Sequence, residues 1–251
     1  MSTSQEQLRQ RFQEEYQQLN EQQRLAVDTT EGPVMVIAGP GTGKTQILAA
    51  RIGKILLDTD IFPGNILCLT YTDAGAIAMR RRLLSFIGPD AYKVHIHTFH
   101  SFCNEIIQEN LSLFDKTTLD PISELERIQL FKTLIDRFAK NHPLKRYRGD
   151  VYFEMYNMQN LFSAMKREGW SPAFIRGKID EYVASLPERD EYIAKRATAA
   201  FKKGEIRTDR IAEEVERMDK LRAAVDEFDR YQELMRLNNR YDFDDMINWV
   251  I

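Results

Sequence analysis

The chain has 251 residues, 43% apolar and 29% charged, with 35 Lys and Arg against 38 Asp and Glu. That length supports one large or two modest domains with real cores, and a net charge of −3 leaves any nucleic-acid surface to local patches rather than a global field. Composition argues against several classes: Cys68 and Cys103, each in an apolar context, have no metal or disulfide spacing and are expected to be reduced core thiols. The polar, glutamine-rich start lacks the apolar core of a signal peptide, and no run of roughly 18 apolar residues offers a membrane span, so a cytoplasmic protein is expected.

In chain order, a polar helix gives way at Asn20, an expected N-cap, to the short helix "EQQRLAV". The run "VMVIA" at 34–38 predicts a buried strand, as does "NILCLT" at 65–70, and "YKVHIHTF" at 92–99 predicts a third. Helical patterns fill 44–58, then 73–87 with Asp73 as cap, then 98–110 with Thr98 as cap. Strand and helix alternating at this spacing imply an α/β fold, a three-layer parallel sheet. From 111 to 238 the strand-like runs vanish. Ser123 and Glu126 form a capping box, and Ser171-Pro172 opens another helix. Residues 205–237 carry no Gly or Pro and predict one long helix. This stretch is expected as an all-helical insertion whose mixed charges make a solvated surface.

The sequence Ala38-Gly39-Pro40-Gly41-Thr42-Gly43-Lys44-Thr45 fits the relaxed phosphate-loop pattern, with Ala38 where the strict motif has glycine. Gly41 and Gly43 can bend the backbone so that N–H groups face phosphate oxygens. Lys44 is placed to reach the β- and γ-phosphates, the Thr45 hydroxyl to ligate Mg²⁺, and the helix beginning at 44 to add its positive end. The competing reading is a Gly-rich turn with an incidental lysine, but the apolar run before the loop and the helix after it favour ATP or another nucleoside triphosphate.

Three further segments accompany the loop: "LNEQQRLAV" at 19–27, "LTYTDAGAIAMRRRL" at 69–83 and "HIHTFHSFC" at 95–103. In this order and spacing, the four resemble the ATP-dependent DNA helicases of superfamily one, the UvrD/Rep/PcrA and RecB/AddA group. The resemblance covers residues 19–110 closely, with a further match at "YDFDDMI", 241–247. It implies a RecA-like ATP-binding core whose first part is residues 1–112, a helical insertion over 113–238, and a return into the core at 239–251. It also implies that Gln23 reads adenine, with Gln46 standing near the base where many members place Arg. Tyr71 then matches an aromatic that stacks on a base of single-stranded DNA, against the alternative of a strand-end core tyrosine. Thr72, Thr98, Phe99 and His100 fall where strand-end loops touch DNA. His95 and His97 are expected to be structural, and Arg80-Arg81-Arg82 to form either part of a DNA track or a solvated helix face. Thr72-Asp73-Ala74-Gly75 lacks the lysine of the UvrD pattern and is similar to the RecB/AddA form.

Hydrolysis needs carboxylates to hold Mg²⁺ through water and to orient the attacking water. In the family these close an apolar strand that follows the "DFDD" segment. Here Asp242 fits better as a helix cap with Asp244 and Asp245 in the first turn. The expectation is therefore the N-terminal part of a helicase, the fold incomplete at its C-terminus and the remaining helicase domains beyond residue 251. Such a chain would contact single-stranded or partly duplex DNA, would hold ATP weakly if at all and would not hydrolyse it alone, and an exposed sheet edge would favour self-association. The intact protein would translocate 3′ to 5′. Alternatives are a helicase–nuclease subunit of RecB/AddA type and a non-catalytic nucleotide- or DNA-binding module; a metabolic phosphate-loop kinase has no reason to carry "TYTDAG" and "TFHSF".

Overall fold

Short polar side chains set many of the helix starts. Asn20, Thr72, Ser123 and Ser171 each stand in extended backbone and accept a bond from the amide three residues on, replacing a partner the first turn of a helix lacks. The computed structural model describes residues 3–146, 149–196 and 202–250, and they form two compact units, Met1–Ile106 and Ile107–Ile251. Among the described residues no helix is long and apolar enough to cross a membrane.

The first unit contains α1 (Thr3–Gln17), α2 (Glu21–Asp28), α3 (Lys44–Asp58), β1 (Leu67–Thr70), α4 (Asp73–Ile87), β2 (His95–Thr98) and the start of α5 (Phe99–Glu109). Strands β1 and β2 pair in parallel, with Leu67 beside His95 and Thr70 beside Thr98. The core gathers Val27 of α2, Ala49 and Ala50 of α3, and Leu83 and Phe86 of α4. Gly53 explains how α1 joins it: a Cβ there would lie 3.3 Å from the Phe12 ring, so the missing side chain admits Phe12 against Phe86. Cys68 and Cys103 are buried and free, and burial pushes both thiols up in pKa.

Three expectations for this unit need correction. Residues 34–38 are not a strand: Met35 is 86% and Ile37 90% exposed, and no strand pairs with them among the described residues. Apolar composition alone does not make a strand; it needs a neighbour for its N–H and C=O groups. The observed sheet here accordingly has two strands rather than three. Thr72, not Asp73, caps α4, which moves Asp73 into the first turn. Arg80, meanwhile, donates to the carbonyls of Ala91 and Val94 at 2.8 and 3.4 Å, tying α4 to the approach to β2.

The second unit contains the rest of α5, β3 (Asp120–Pro121), α6 (Glu124–Asp136), α7 (Met155–Glu168), α8 (Pro172–Ser185), α9 (Thr208–Asp226), α10 (Phe228–Leu237), β4 (Arg240–Tyr241) and α11 (Phe243–Val250). Its centre is aromatic, with Phe131 of α6, Phe162 of α7 and Tyr231 of α10 fully buried. The predicted single helix over 205–237 is two, broken at Glu227. Glu227 is buried, and its Oε1 accepts from Arg230 at 2.8 Å with His142 Nε2 at 3.5 Å. At the break the Glu227 amide donates to the Ala224 carbonyl at 3.1 Å, three residues back, and Glu227 Oε2 is buried without a partner. Strand-like structure does not vanish either: β3 and β4 pair in parallel over two residues.

Candidate functional site

Glycine geometry shapes the loop. Gly41 and Gly43 have φ of 75° and 83°, a region that favours residues without Cβ. Lys44 follows as the first residue of α3. At Gly43 a Cβ would also meet Gln23 Nε2 at 3.4 Å, so this position is constrained by neighbours as well as by backbone. Above Gly41 there is open space.

Inside the loop the polar contacts converge on carbonyl groups. Lys44 Nζ donates to Gly39 O at 2.6 Å and Ala38 O at 3.2 Å, and the Thr42 hydroxyl donates to Gly39 O at 2.8 Å. Gln23 does two things at once. Its Oε1 accepts from Asn20 N at 3.0 Å in the capping box of α2, while its Nε2 donates to Thr42 O at 3.1 Å. The side chain thereby fastens the α2 cap to the loop, a role the sequence signalled only through the spacing of Asn20 and Gln23. Pro40, Lys44 and Thr45 are exposed and Gln46 half-buried. An ammonium held by two neutral carbonyls, with open space over Gly41 and a helix N-terminus behind it, fits a polyphosphate: the anion would give Lys44 stronger, charge-assisted bonds.

The ends of β1 and β2 carry an exposed aromatic pair. Tyr71 is 90% exposed, and its ring lies 5.2 Å from that of Phe99 at 49°. The neighbouring hydroxyls are committed to helix starts. Thr72 Oγ1 accepts from Gly75 N at 3.0 Å, and Thr98 Oγ1 accepts from Ser101 N at 3.1 Å and donates to Ser101 Oγ at 3.0 Å. His100 is exposed on the first turn of α5. His95 and His97 occupy β2, with rings 5.9 Å apart and His97 Nδ1 3.4 Å from Glu105.

The carboxylates near the end of the chain serve the second unit. Asp242 caps α11, accepting from Asp245 N at 3.0 Å. Lys166 Nζ donates to Asp242 Oδ2 at 2.6 Å and Asp245 Oδ2 at 2.8 Å, and the Ser163 hydroxyl donates to Asp244. Burial pushes the Asp245 carboxyl up in pKa against the downward pull of Lys166. Lys166 and Ser163 were missed from sequence. A signal existed: Met158, Phe162, Met165 and Lys166 share one buried helical stripe, which places a lysine at an apolar position.

A glycine-bent loop feeding a helix N-terminus, two parallel strands and a helical unit define an α/β protein with a phosphate-loop signature. Residues 19–251 match the UvrD/REP helicase N-terminal domain, and the chain belongs to that family. The ATP-dependent DNA helicase PcrA of Staphylococcus aureus (strain NCTC 8325 / PS 47) is 30% identical over 172 residues, covering 67% of this chain and 22% of that protein. PcrA of Bacillus subtilis (strain 168) is 39% identical over 119 residues, covering 44% and 16%. For PcrA of Staphylococcus epidermidis the figures are 38% over 108 residues, 39% and 15%. The chain thus spans less than a quarter of the length of these curated relatives.

Proposed function

We propose that this chain is the nucleotide-binding and strand-contacting part of an ATP-dependent DNA helicase. Residues 1–112 belong to a RecA-like core, 113–238 form its helical insertion and 239–251 return toward the core. The observation that carries the reading is Lys44 Nζ on the carbonyls of Ala38 and Gly39, beside glycines 41 and 43 in left-handed backbone.

On nucleotide binding, Lys44 exchanges these carbonyls for the β- and γ-phosphates, and Gly39 to Thr45 supply backbone amides around them. The Thr45 hydroxyl would hold Mg²⁺, which would supply charge neutralisation at the phosphates. Gln23 turns its amide from Thr42 O toward the adenine edge, so base recognition and loop tension are linked through one side chain. Tyr71 with Phe99 offers a stacking face to a base of single-stranded DNA, and Thr72, Thr98 and His100 line the backbone path.

Translocation, 3′ to 5′, belongs to the intact enzyme with its further helicase domains. Asp242, Asp244 and Asp245 are held by Lys166 and Ser163, which supports the view that these residues do not orient the attacking water. The reduced, buried thiols fit a cytoplasmic setting. The exposed apolar side chains of Val34 to Ile37 support association between copies of this chain, which native mass measurement across micromolar concentrations would reveal as dimers.

The test is steady-state ATP hydrolysis with and without single-stranded DNA, beside Lys44→Ala, together with equilibrium binding of each ligand. Expected are ATP and DNA binding without turnover, the ATP binding lost in Lys44→Ala. DNA-stimulated turnover that disappears in Lys44→Ala would overturn the assignment of Asp244 and Asp245 to structure.

A further inference from the structure

The second unit turns a rigid corner between α7 and α8. Gly169 ends α7 in left-handed backbone, φ 64°, and the Trp170 amide closes the turn on Met165 O at 2.8 Å. Ser171 then caps α8 and Pro172 opens it, with the Phe174 amide donating to Ser171 Oγ at 3.1 Å. These bonds fix where Trp170 and Phe174 leave the backbone.

Both rings reach solvent. Trp170 is 41% and Phe174 47% exposed, with ring centroids 6.3 Å apart and planes 31° apart. Helix α8 turns Ile175 and Ile179 into the core instead. Lys178, one turn beyond Phe174, places its Nζ 5.9 Å from that ring centre. Gly177 stands beside them, and a Cβ there would meet nothing within 4 Å. Glycine inside a helix costs stability relative to Ala, and neither a positive φ nor a close neighbour calls for it here. It leaves the approach to the ring unobstructed.

The charges around the rings narrow the chemistry. From Arg167 to Lys178 the exposed charged residues are Arg167, Arg176 and Lys178 against Glu168. Lys178 pairs with Glu181 at 2.7 Å and Arg176 with Asp226 at 2.6 Å. Such surface pairs are worth little and exchange readily for a phosphate. Open rings for bases beside basic side chains for phosphates match a single strand.

We propose that the Trp170–Phe174 corner binds single-stranded DNA, a base stacking on the rings while Arg167 and Lys178 meet the adjoining phosphates. The inference rests on reading the chain as a strand-contacting protein and adds a contact in the helical unit, beyond Tyr71 in the first.

The chain has two tryptophans, Trp170 and Trp249, so Trp249→Phe makes Trp170 the sole reporter. Its emission is followed as a thymidylate strand of about six nucleotides is added to the full chain, and again with an abasic strand of equal length. Expected is saturable quenching by the thymidylate strand and none by the abasic one. Affinity should fall about tenfold in Phe174→Ala, the worth of one stacked base, and quenching should persist in Tyr71→Ala. Lys178→Gln keeps the rings and should lower the salt dependence of binding, which carries the test if Phe174→Ala fails to fold. Quenching that is lost in Tyr71→Ala, or unchanged in folded Phe174→Ala, would overturn the proposal. So would strand binding, seen by anisotropy, without any change in Trp170 emission, a result that leaves Tyr71 in place. Emission that shifts with protein concentration and not with DNA would assign the corner to a protein partner and overturn it too. No strand binding by any variant would overturn the Tyr71 reading and this one together.

Discussion

Two lysines show how differently the two units use the same side chain. Lys44 stands exposed at a helix start, bonded only to neutral carbonyls, so that an incoming anion improves its situation. Lys166 is 6% exposed within a helix and held by two carboxylates, so that any exchange of partners strands a buried charge. The first arrangement is poised to change and the second is locked. Partner and burial, rather than residue type, separate the lysine proposed to bind nucleotide from the structural one.

Substitution should widen that contrast. Lys166→Met leaves Asp242 and Asp245 without their cation and is expected to cost about 3–5 kcal/mol of stability, seen as a lower urea midpoint. Lys44→Met should change the same midpoint by less than about 0.5 kcal/mol while abolishing nucleotide binding. If both variants melt alike, the distinction between the lysines is wrong. Tyr71→Ala should weaken single-strand binding by about 1–3 kcal/mol, the worth of one stacked base, and fluorescence anisotropy with an unlabelled competitor would measure it. Gly43→Ala places a Cβ at φ 83° and should cost about 1–2 kcal/mol, read in thermal melts, with weaker nucleotide binding.

The smallest effect concerns acid. The Ser123 amide and hydroxyl, with Arg240, lower the Glu126 carboxyl from its ordinary 4.5 to about 2. Because the folded value lies below the unfolded one, this clamp stabilises the fold above pH about 4.5 and is lost progressively as pH falls toward about 2. In Glu126→Gln, acid unfolding followed by circular dichroism should flatten across that window. An unchanged curve would remove Glu126 from the account of acid stability.

What was legible in the sequence was local. Asn20, Ser123 and Ser171 announced their helices because a cap needs only its own residue and an amide three positions on, and Thr98 did the same for α5. The cap of α4 was misplaced by one residue, since Thr72 and Asp73 are both good capping types. The bent backbone at Gly41 and Gly43 and the helix start at Lys44 were legible for the same reason: they are fixed by a short stretch of chain. What could not be seen was non-local. Whether 34–38 pairs depends on a neighbouring strand, and the approach of His142 to Glu227 joins residues far apart in the chain. Lys166 finds its carboxylates 76 and 79 positions later, and only its place on an apolar stripe hinted at burial. Gln23 lay between these cases: the capping spacing was visible, its bond to Thr42 was not.

Equilibrium binding of a non-hydrolysable ATP analogue with Mg²⁺, measured by calorimetry on the chain and on Lys44→Ala, tests the phosphate loop most directly. Saturable binding that is lost in Lys44→Ala, with both proteins melting at the same temperature, is the predicted result. Equal binding by the two proteins, or no binding by either, would contradict the assignment of residues 38–45 as a nucleotide site.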